Sequence, residues 1–241
     1  METLVCGLIT ADFYMEISLS PRLLAAERYI RAGASLADIG TDHAYLPIFA
    51  VLSGKCEYAV ASDINNAPLM RAVDNVAAYG LSERIKCVLS DGFEKISGFT
   101  DAAICGMGGE LTARIIEKAG TVAAHNGVRL ILQPMTRLNA VRQCILRLGF
   151  DITEEYTVQD SNKYYTVICA DYDGKARAAD NFSLIYGDFS KKRFSDDDIR
   201  RGYIEHEIDK LRVIIKGKTV SQLDTTAENT MIKALGALIG S

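Results

Sequence analysis

Ala37-Asp38-Ile39-Gly40-Thr41-Asp42-His43-Ala44-Tyr45-Leu46 decides the fold of this chain. Leu36 to Ile39 reads as a short buried strand, Gly40 permits the sharp turn after it, and Tyr45 to Leu52 reads as an opening helix. A strand, a glycine turn and a helix in that order make a nucleotide-binding corner. In the dinucleotide fingerprint the turn runs G-x-G-x-x-G, so that backbone N–H groups and a helix N-terminus meet a pyrophosphate. Here Asp42 and His43 follow the first glycine, and an aspartate aimed at a pyrophosphate repels it.

The corner opens a series. Glu57 to Ser62 reads as a second strand ending in Asp63-Ile64-Asn65, with the acid about 20 positions beyond the glycine turn, where a ribose diol is held. Ile85 to Leu89 ends in Ser90-Asp91-Gly92, and Asp91 there could accept from an adenine amino group. Ala102 to Cys105 ends in Gly106-Met107-Gly108-Gly109, and Arg129 to Leu132 ends in Gln133-Pro134. All these polar or glycine-rich elements follow the carboxyl end of a strand, where ligands bind in open α/β sheets. A cationic nucleoside without phosphates suits the acidic corner, and S-adenosylmethionine (SAM) is the common cofactor of that description.

ADIGTDHAYLP, followed in order by SDI, SDGF, GMGG and LILQP, resembles the TrmK-type tRNA methyltransferases, which methylate N1 of adenosine 22 in bacterial tRNA. The resemblance runs from about Leu19 to Asp171, with a helical tail beyond. It implies an α/β, doubly wound, mostly parallel seven-stranded Rossmann-like methyltransferase sheet with a closing antiparallel hairpin, plus a C-terminal helical module. It implies SAM as cofactor, tRNA as partner, a cytoplasmic location and a monomer or weak dimer. The expected cofactor contacts are Asp38, Gly40, His43, Asp63, Ile64, Asp91, Gly92 and Gly106. Asp42 and Gln133 are the candidates for catalysis, and Arg22, Tyr45, Met107 and Pro134 for the RNA.

Adenine N1 carries a free lone pair, so methyl transfer needs no prior proton removal. Positive charge then spreads from N1 to N6, and a carboxylate accepting from N6–H both orients the base and stabilises that charge. Asp42 is the residue chosen for this. Its alternatives are a helix N-cap or a partner of the SAM amino group. The chain lacks the D/N-P-P-Y/F motif of adenine N6 chemistry. GMGG lets the backbone approach a cofactor, or makes a tight turn before a helix. His43 and Tyr45 read equally as structural residues, Gln133 as an adenine reader or a backbone partner. Cys105 lacks the neighbouring proline that accompanies cysteine attack on pyrimidines.

The six cysteines among the 241 residues form no C-x-x-C pair and read as reduced. The three histidines are far apart in sequence, and no metal site is indicated. No stretch reaches the roughly 18 to 20 apolar residues that span a bilayer. Net charge is −4, the reverse of a basic nucleic-acid footprint, although Arg22, Arg28 and Arg31 crowd the first helix and Lys191, Lys192, Arg193, Arg200 and Arg201 the tail.

Four segments are expected: an extension over 1–14, a start-site artefact or dispensable arm; the methyltransferase domain over 15–173; a linker over 174–186; and helices over 187–241. Asp160-Ser161-Asn162 has hairpin-turn chemistry between strands at 151–157 and 163–170. Ser195 is the expected N-cap of a helix whose apolar seam is Ile204, Ile208, Leu211 and Ile215, facing a second with Leu223, Ala227, Met231, Leu235 and Leu238. The competing readings are a SAM methyltransferase for another RNA base or a small molecule, and a non-catalytic SAM- or RNA-binding module.

Overall fold

A computed structural model describes residues 6–10 and 13–239. A two-stranded antiparallel ribbon, β1 (Cys6–Thr10) with β2 (Phe13–Ile17), leads into α1 (Pro21–Glu27). The extension expected over 1–14 therefore contributes strand where it is described; residues 1–5, 11 and 12 lie outside the described residues.

Strands and helices then alternate: β3 (Ala34–Ile39), α2 (Tyr45–Leu52), β4 (Cys56–Asp63), α3 (Asn66–Ala78), β5 (Ile85–Leu89), β6 (Asp101–Gly108), α4 (Gly109–Ala119), β7 (Arg129–Thr136) and α5 (Leu138–Arg147). The hairpin β8 (Phe150–Asp160) and β9 (Lys163–Tyr172) follows, then α6 (Asn181–Tyr186), β10 (Lys192–Phe194), α7 (Asp197–Val220) and α8 (Thr226–Ala237).

The main sheet runs β10-β8-β9-β7-β6-β3-β4-β5. Its order reverses between β3 and β6, and this switch point opens the crevice where α/β sheets bind ligands. Both faces are covered, so the central strands are continuously apolar. Leu36, Ala103 and Ile131 pack toward α1, α2 and α3, while Ala37, Ile104, Leu130 and Leu132 pack toward α4 and α5. The expected hairpin closes the sheet, with Ser161 and Asn162 at φ of 49° and 64°, the left-handed pair of a tight two-residue turn.

Three boundaries differ from the sequence reading. The sheet has eight strands instead of seven, because Lys192–Phe194 pairs in parallel with Glu155–Thr157 of β8. Gln133 and Pro134 lie inside β7 instead of after it, since pairing with β6 continues to Thr136. Asp196, and not Ser195, caps α7, accepting from the Ile199 amide at 2.7 Å.

The segment expected as a linker is also tied down. α6 packs on α5, and the carbonyls of Leu184 and Ile185 accept from Arg142 Nη1 at 2.7 and 2.8 Å. Arg142 is buried and paired with Glu155 (Nε to Oε1, 2.6 Å), and Lys192 Nζ joins at 3.4 Å from Glu155 Oε2. Tyr203 of α7 lies over Lys192, whose ammonium is 4.6 Å from the ring centroid. Burial lowers the Lys192 pKa to about 8 against the pull of Glu155, while the two cations hold Glu155 below the usual carboxylate range despite its burial.

α7 and α8 are antiparallel: Arg200 near the start of α7 donates to the Leu238 carbonyl, and Lys218 at the other end pairs with Glu228 at 2.7 Å. Their seam is shorter than the sequence stripe. Ile204, Ile208, Leu211 and Leu235 are buried, whereas Leu223 and Ala227 are exposed.

Candidate functional site

The Gly40 turn is set by three local demands. Gly40 has φ +79°, its N–H and that of Thr41 both donate to the Ser62 carbonyl at 2.7 and 2.8 Å, and Thr41 Oγ1 accepts from Ala44 N at 3.1 Å. Ala44 takes a left-handed φ of 55°, which aims α2 away from the strand. The loop between projects Asp42 and His43 outward.

α3 holds this loop from the side. Arg71 donates to Asp42 Oδ1 through Nε at 3.1 Å and also through Nη2. Asn75 Nδ2 donates to the His43 carbonyl at 3.0 Å. His43 Nε2 stands 3.4 Å from Asp42 Oδ2, and its ring stacks on Tyr45 with centroids 5.1 Å apart. Asp42 remains 62% exposed, with Oδ1 held by Arg71 and Oδ2 facing His43.

Asp38, Gly40, Asp42, His43, Tyr45, Gly106, Met107 and Arg22 share one cavity of about 410 Å³, completed by Met135 at the end of β7. Asp38 is its buried floor. Burial raises the Asp38 carboxyl to about 6, only partly offset by a hydrogen bond from Thr41, and Asp63 adds to the rise. A cation in the cavity relieves that cost. The β6 turn meets the β3 turn here: a Cβ on Gly40 would lie 1.7 Å from Met107 Cε, so the Met107 methyl occupies the space a side chain would take. Gly106, at φ +81°, faces Arg22 Nη1.

Arg22 is the hinge of the wall. Its Nη1 donates to Gln133 Oε1 at 3.3 Å, and its Nε lies 4.0 Å from Asp160 Oδ2. Gln133 is wholly buried, with Nε2 on the Pro134 carbonyl at 3.3 Å. Gln133 and Pro134 thus stand behind the cavity wall.

The acids expected for ribose and adenine sit on the adjoining strand ends. Asp63 Oδ1 accepts from Asn65 N at 2.6 Å, and the Asp63 carbonyl accepts from Ser90 N at 3.0 Å, joining the ends of β4 and β5; Ile64 is exposed. Asp91 is turned to Lys118 at 2.6 Å and lines a separate cavity of about 240 Å³ with Gly92. The structure therefore gathers the corner, Arg22 and the β6 turn, and leaves Asp63, Ile64, Asp91 and Gly92 beside them. Sequence reasoning missed Thr41, Arg71, Asn75 and Met135. Arg71 and Asn75 lie on a helix of ordinary polar residues, with no signal of their own.

Gly109 serves packing. A Cβ there would lie 2.4 and 2.5 Å from the carbonyl oxygens of Thr136 and Arg137. The Cys105 thiol has its pKa pushed far up by burial and by nearby Asp38, which opposes thiolate chemistry. Among the described residues no group of three histidine, cysteine or acidic side chains could hold a metal, and no helix is long and apolar enough to cross a membrane.

A family profile described as a methyltransferase domain matches residues 19–168. The tRNA (adenine(22)-N(1))-methyltransferase of Bacillus subtilis (strain 168) is 38% identical over 174 residues, covering 71% of this chain and 73% of that protein. The chain belongs to the TrmK-type tRNA (adenine-22 N1)-methyltransferase family. The crystal structure of B. subtilis TrmK superposes on this TrmK-type chain with a TM-score of 0.76 at 29% identity, covering 93% of this chain and 97% of that one. M. capricolum TrmK in complex with the cofactor product S-adenosylhomocysteine gives 0.70 at 27% identity, covering 92% and 95%. The TrmK-type likeness therefore extends through the C-terminal helices as well as the sheet.

Proposed function

We propose that the chain transfers a methyl group from S-adenosylmethionine to N1 of adenosine 22 in tRNA. The observation that carries this reading is the single cavity in which buried Asp38, the Gly40 turn and Asp42 converge at the sheet's switch point in a chain of this family. The residues fit the cofactor: a buried carboxylate costly to ionise alone, two positive-φ glycines that let the β3 and β6 turns meet, and acids ending the next two strands. When bound, SAM supplies an electrophilic methyl on a sulfonium centre.

Asp38 holds the cationic methionine end, and Asp63 accepts from the ribose hydroxyls. Asp91 would have to leave Lys118 to serve the adenine, and Ile64 and Gly92 flank that face. Asp42 accepts from N6–H of the target adenine, with Arg71 fixing one of its oxygens. Charge growing on N1 and N6 meets a carboxylate already oriented. His43 with Tyr45 forms an aromatic wall beside the base, and Met107 and Arg22 bound the opposite side. Gln133 fixes Arg22 from behind, and Pro134 stiffens the strand carrying it.

The same reading makes tRNA the partner and the cytoplasm the location, in accord with five free cysteines among the described residues. It has the chain act as a monomer or weak dimer. The test incubates the chain with SAM and unmodified tRNA and analyses the nucleosides by mass, with reverse-transcription stops to locate the change. One 1-methyladenosine at position 22 is expected. Methylation at another atom or position, or none with SAM bound, overturns the assignment.

A further inference from the structure

A second cavity of about 360 Å³ lies between α1, β8 and the start of α7. It shares α1 with the reaction cavity. Arg22 serves the first and Arg28 the second, and six residues at helical rise put them about 9 Å apart along the helix axis. Leu24, Tyr156, Val158 and Ile199 give the groove an apolar lining.

Arg28 is unlike its neighbours. Arg22 is engaged by Gln133 and Asp160, and Arg31 is locked to Asp101 with Nε at 2.7 Å. Among the described residues the Arg28 side chain makes no hydrogen bond or ion pair. Its guanidinium instead lies 4.1 Å from the Tyr156 ring centroid, and the residue is exposed. The guanidinium is covered by the tyrosine on one side, and its N–H groups have no protein acceptor among the described residues. That is the arrangement on which proteins stack unpaired bases.

The rim decides between a phosphate and a base. Asp196 and Glu27 stand in the wall with Gln159 and Ser195. Glu27 is spent on Lys55 at 3.0 Å, so an anion would meet the Asp196 carboxylate, whereas a neutral planar ring stacks on Arg28 and finds donors and acceptors for its edge. Extruding a target adenine also strips its neighbour of a stacking partner. A platform on the same short helix restores it.

We infer that this groove receives a nucleobase flanking the target adenine, stacked on the outer face of the Arg28 guanidinium. The inference rests on the RNA methylation proposed above and adds a specificity-determining subsite to it. α1 and its C-cap then contact two positions of one strand, through Arg22 and through Arg28.

The test uses the full chain and a set of tRNAs carrying single abasic nucleotides on either side of the target. Arg28→Ala is expected to raise KM for tRNA about tenfold, a typical loss for one stacked base, with kcat and SAM affinity unchanged. One flanking abasic position should do the same to the wild type, and the two changes together should cost no more than either alone. Arg28→Lys keeps the charge and loses the plane, so it should behave like Arg28→Ala. Tyr156→Leu gives a second reading from the other side of the stack, with thermal melting as the control for folding. Additive losses, a flat abasic scan, or full rescue by lysine would overturn the subsite, the last pointing to a phosphate contact. If the wild type methylates no tRNA, the proposed function has failed instead, and equilibrium binding of the same RNA set still reads the groove.

Discussion

Asp38 carries the strongest electrostatic demand in the cavity. Its carboxyl titrates near 6 in the folded chain against 3.8 ordinarily, because burial disfavours the charged form. The folded state thus holds this proton more tightly than the unfolded one. The group's contribution is complete below about pH 4 and is lost as pH rises through 6. A cationic ligand prefers the ionised form, so SAM affinity should rise with pH up to about 6 and level off above it. Calorimetry from pH 5 to 8 checks this, with Asp38→Asn expected to bind weakly and without that slope; parallel curves for the two proteins would remove Asp38 from the site. The role proposed for Asp42 makes a different demand, since a contact to N6–H counts as charge develops. Asp42→Ala should lower kcat about a hundredfold while SAM affinity holds. Near-normal turnover at saturating tRNA and SAM would end that role.

At the scale of elements, the glycines of Gly106-Met107-Gly108-Gly109 divide by what surrounds them. Gly109→Ala would drive a methyl into two backbone carbonyls at the end of β7, and neither can rotate aside. A loss of about 2 kcal/mol or more is expected in urea unfolding, as for other overpacked sites. Gly108→Ala places its methyl 3.6 Å from Thr136 Oγ1, an ordinary contact, and should be nearly neutral. Equal effects would contradict this account. The strand ends were legible because glycine and aspartate punctuate apolar runs, and the hairpin because Ser161-Asn162 accepts left-handed backbone. Two things were not. β10 reads as Lys-Arg-Phe in a basic cluster, and only Glu155, 37 positions earlier, makes its lysine an interior residue. The clamp of Arg71 on Asp42 depends on how α3 packs beside the loop, which no spacing within either segment encodes.

Across the whole molecule, the buried trio of Arg142, Glu155 and Lys192 fastens the tail to the catalytic sheet. Of the basic residues near the tail's start, Lys192 is interior, Lys191 pairs with Asp151 at 3.0 Å and Arg200 binds the end of α8. The cluster is therefore largely structural. Removing residues 187–241 would uncover Arg142 and Glu155 and strip β8 of its neighbour, so truncation tests stability before RNA binding. Glu155→Gln leaves two buried cations without a counter-charge and should cost about 3 to 5 kcal/mol. Hydrogen exchange followed through the urea transition at the amides of α7 and at those of β3 to β7 should show one shared transition moved to lower urea. A tail that melts separately while the sheet stays put would refute the coupling.

The position of β10 in the chain has a consequence for how the protein is made. A ribosome delivers β3, β4 and β5 first, then the strands that extend the sheet on the other side. β8 takes the outermost place with one long edge bare, and its partner strand lies 32 residues beyond the last residue of β8. Until that stretch leaves the exit tunnel, the nascent chain exposes unpaired backbone and an Arg142–Glu155 pair lacking its lysine. Bare edges of this kind recruit other chains. A pause in translation that leaves β9 outside the exit tunnel and β10 still inside it should therefore send more of the product into aggregates than a pause of the same length after β10 has emerged.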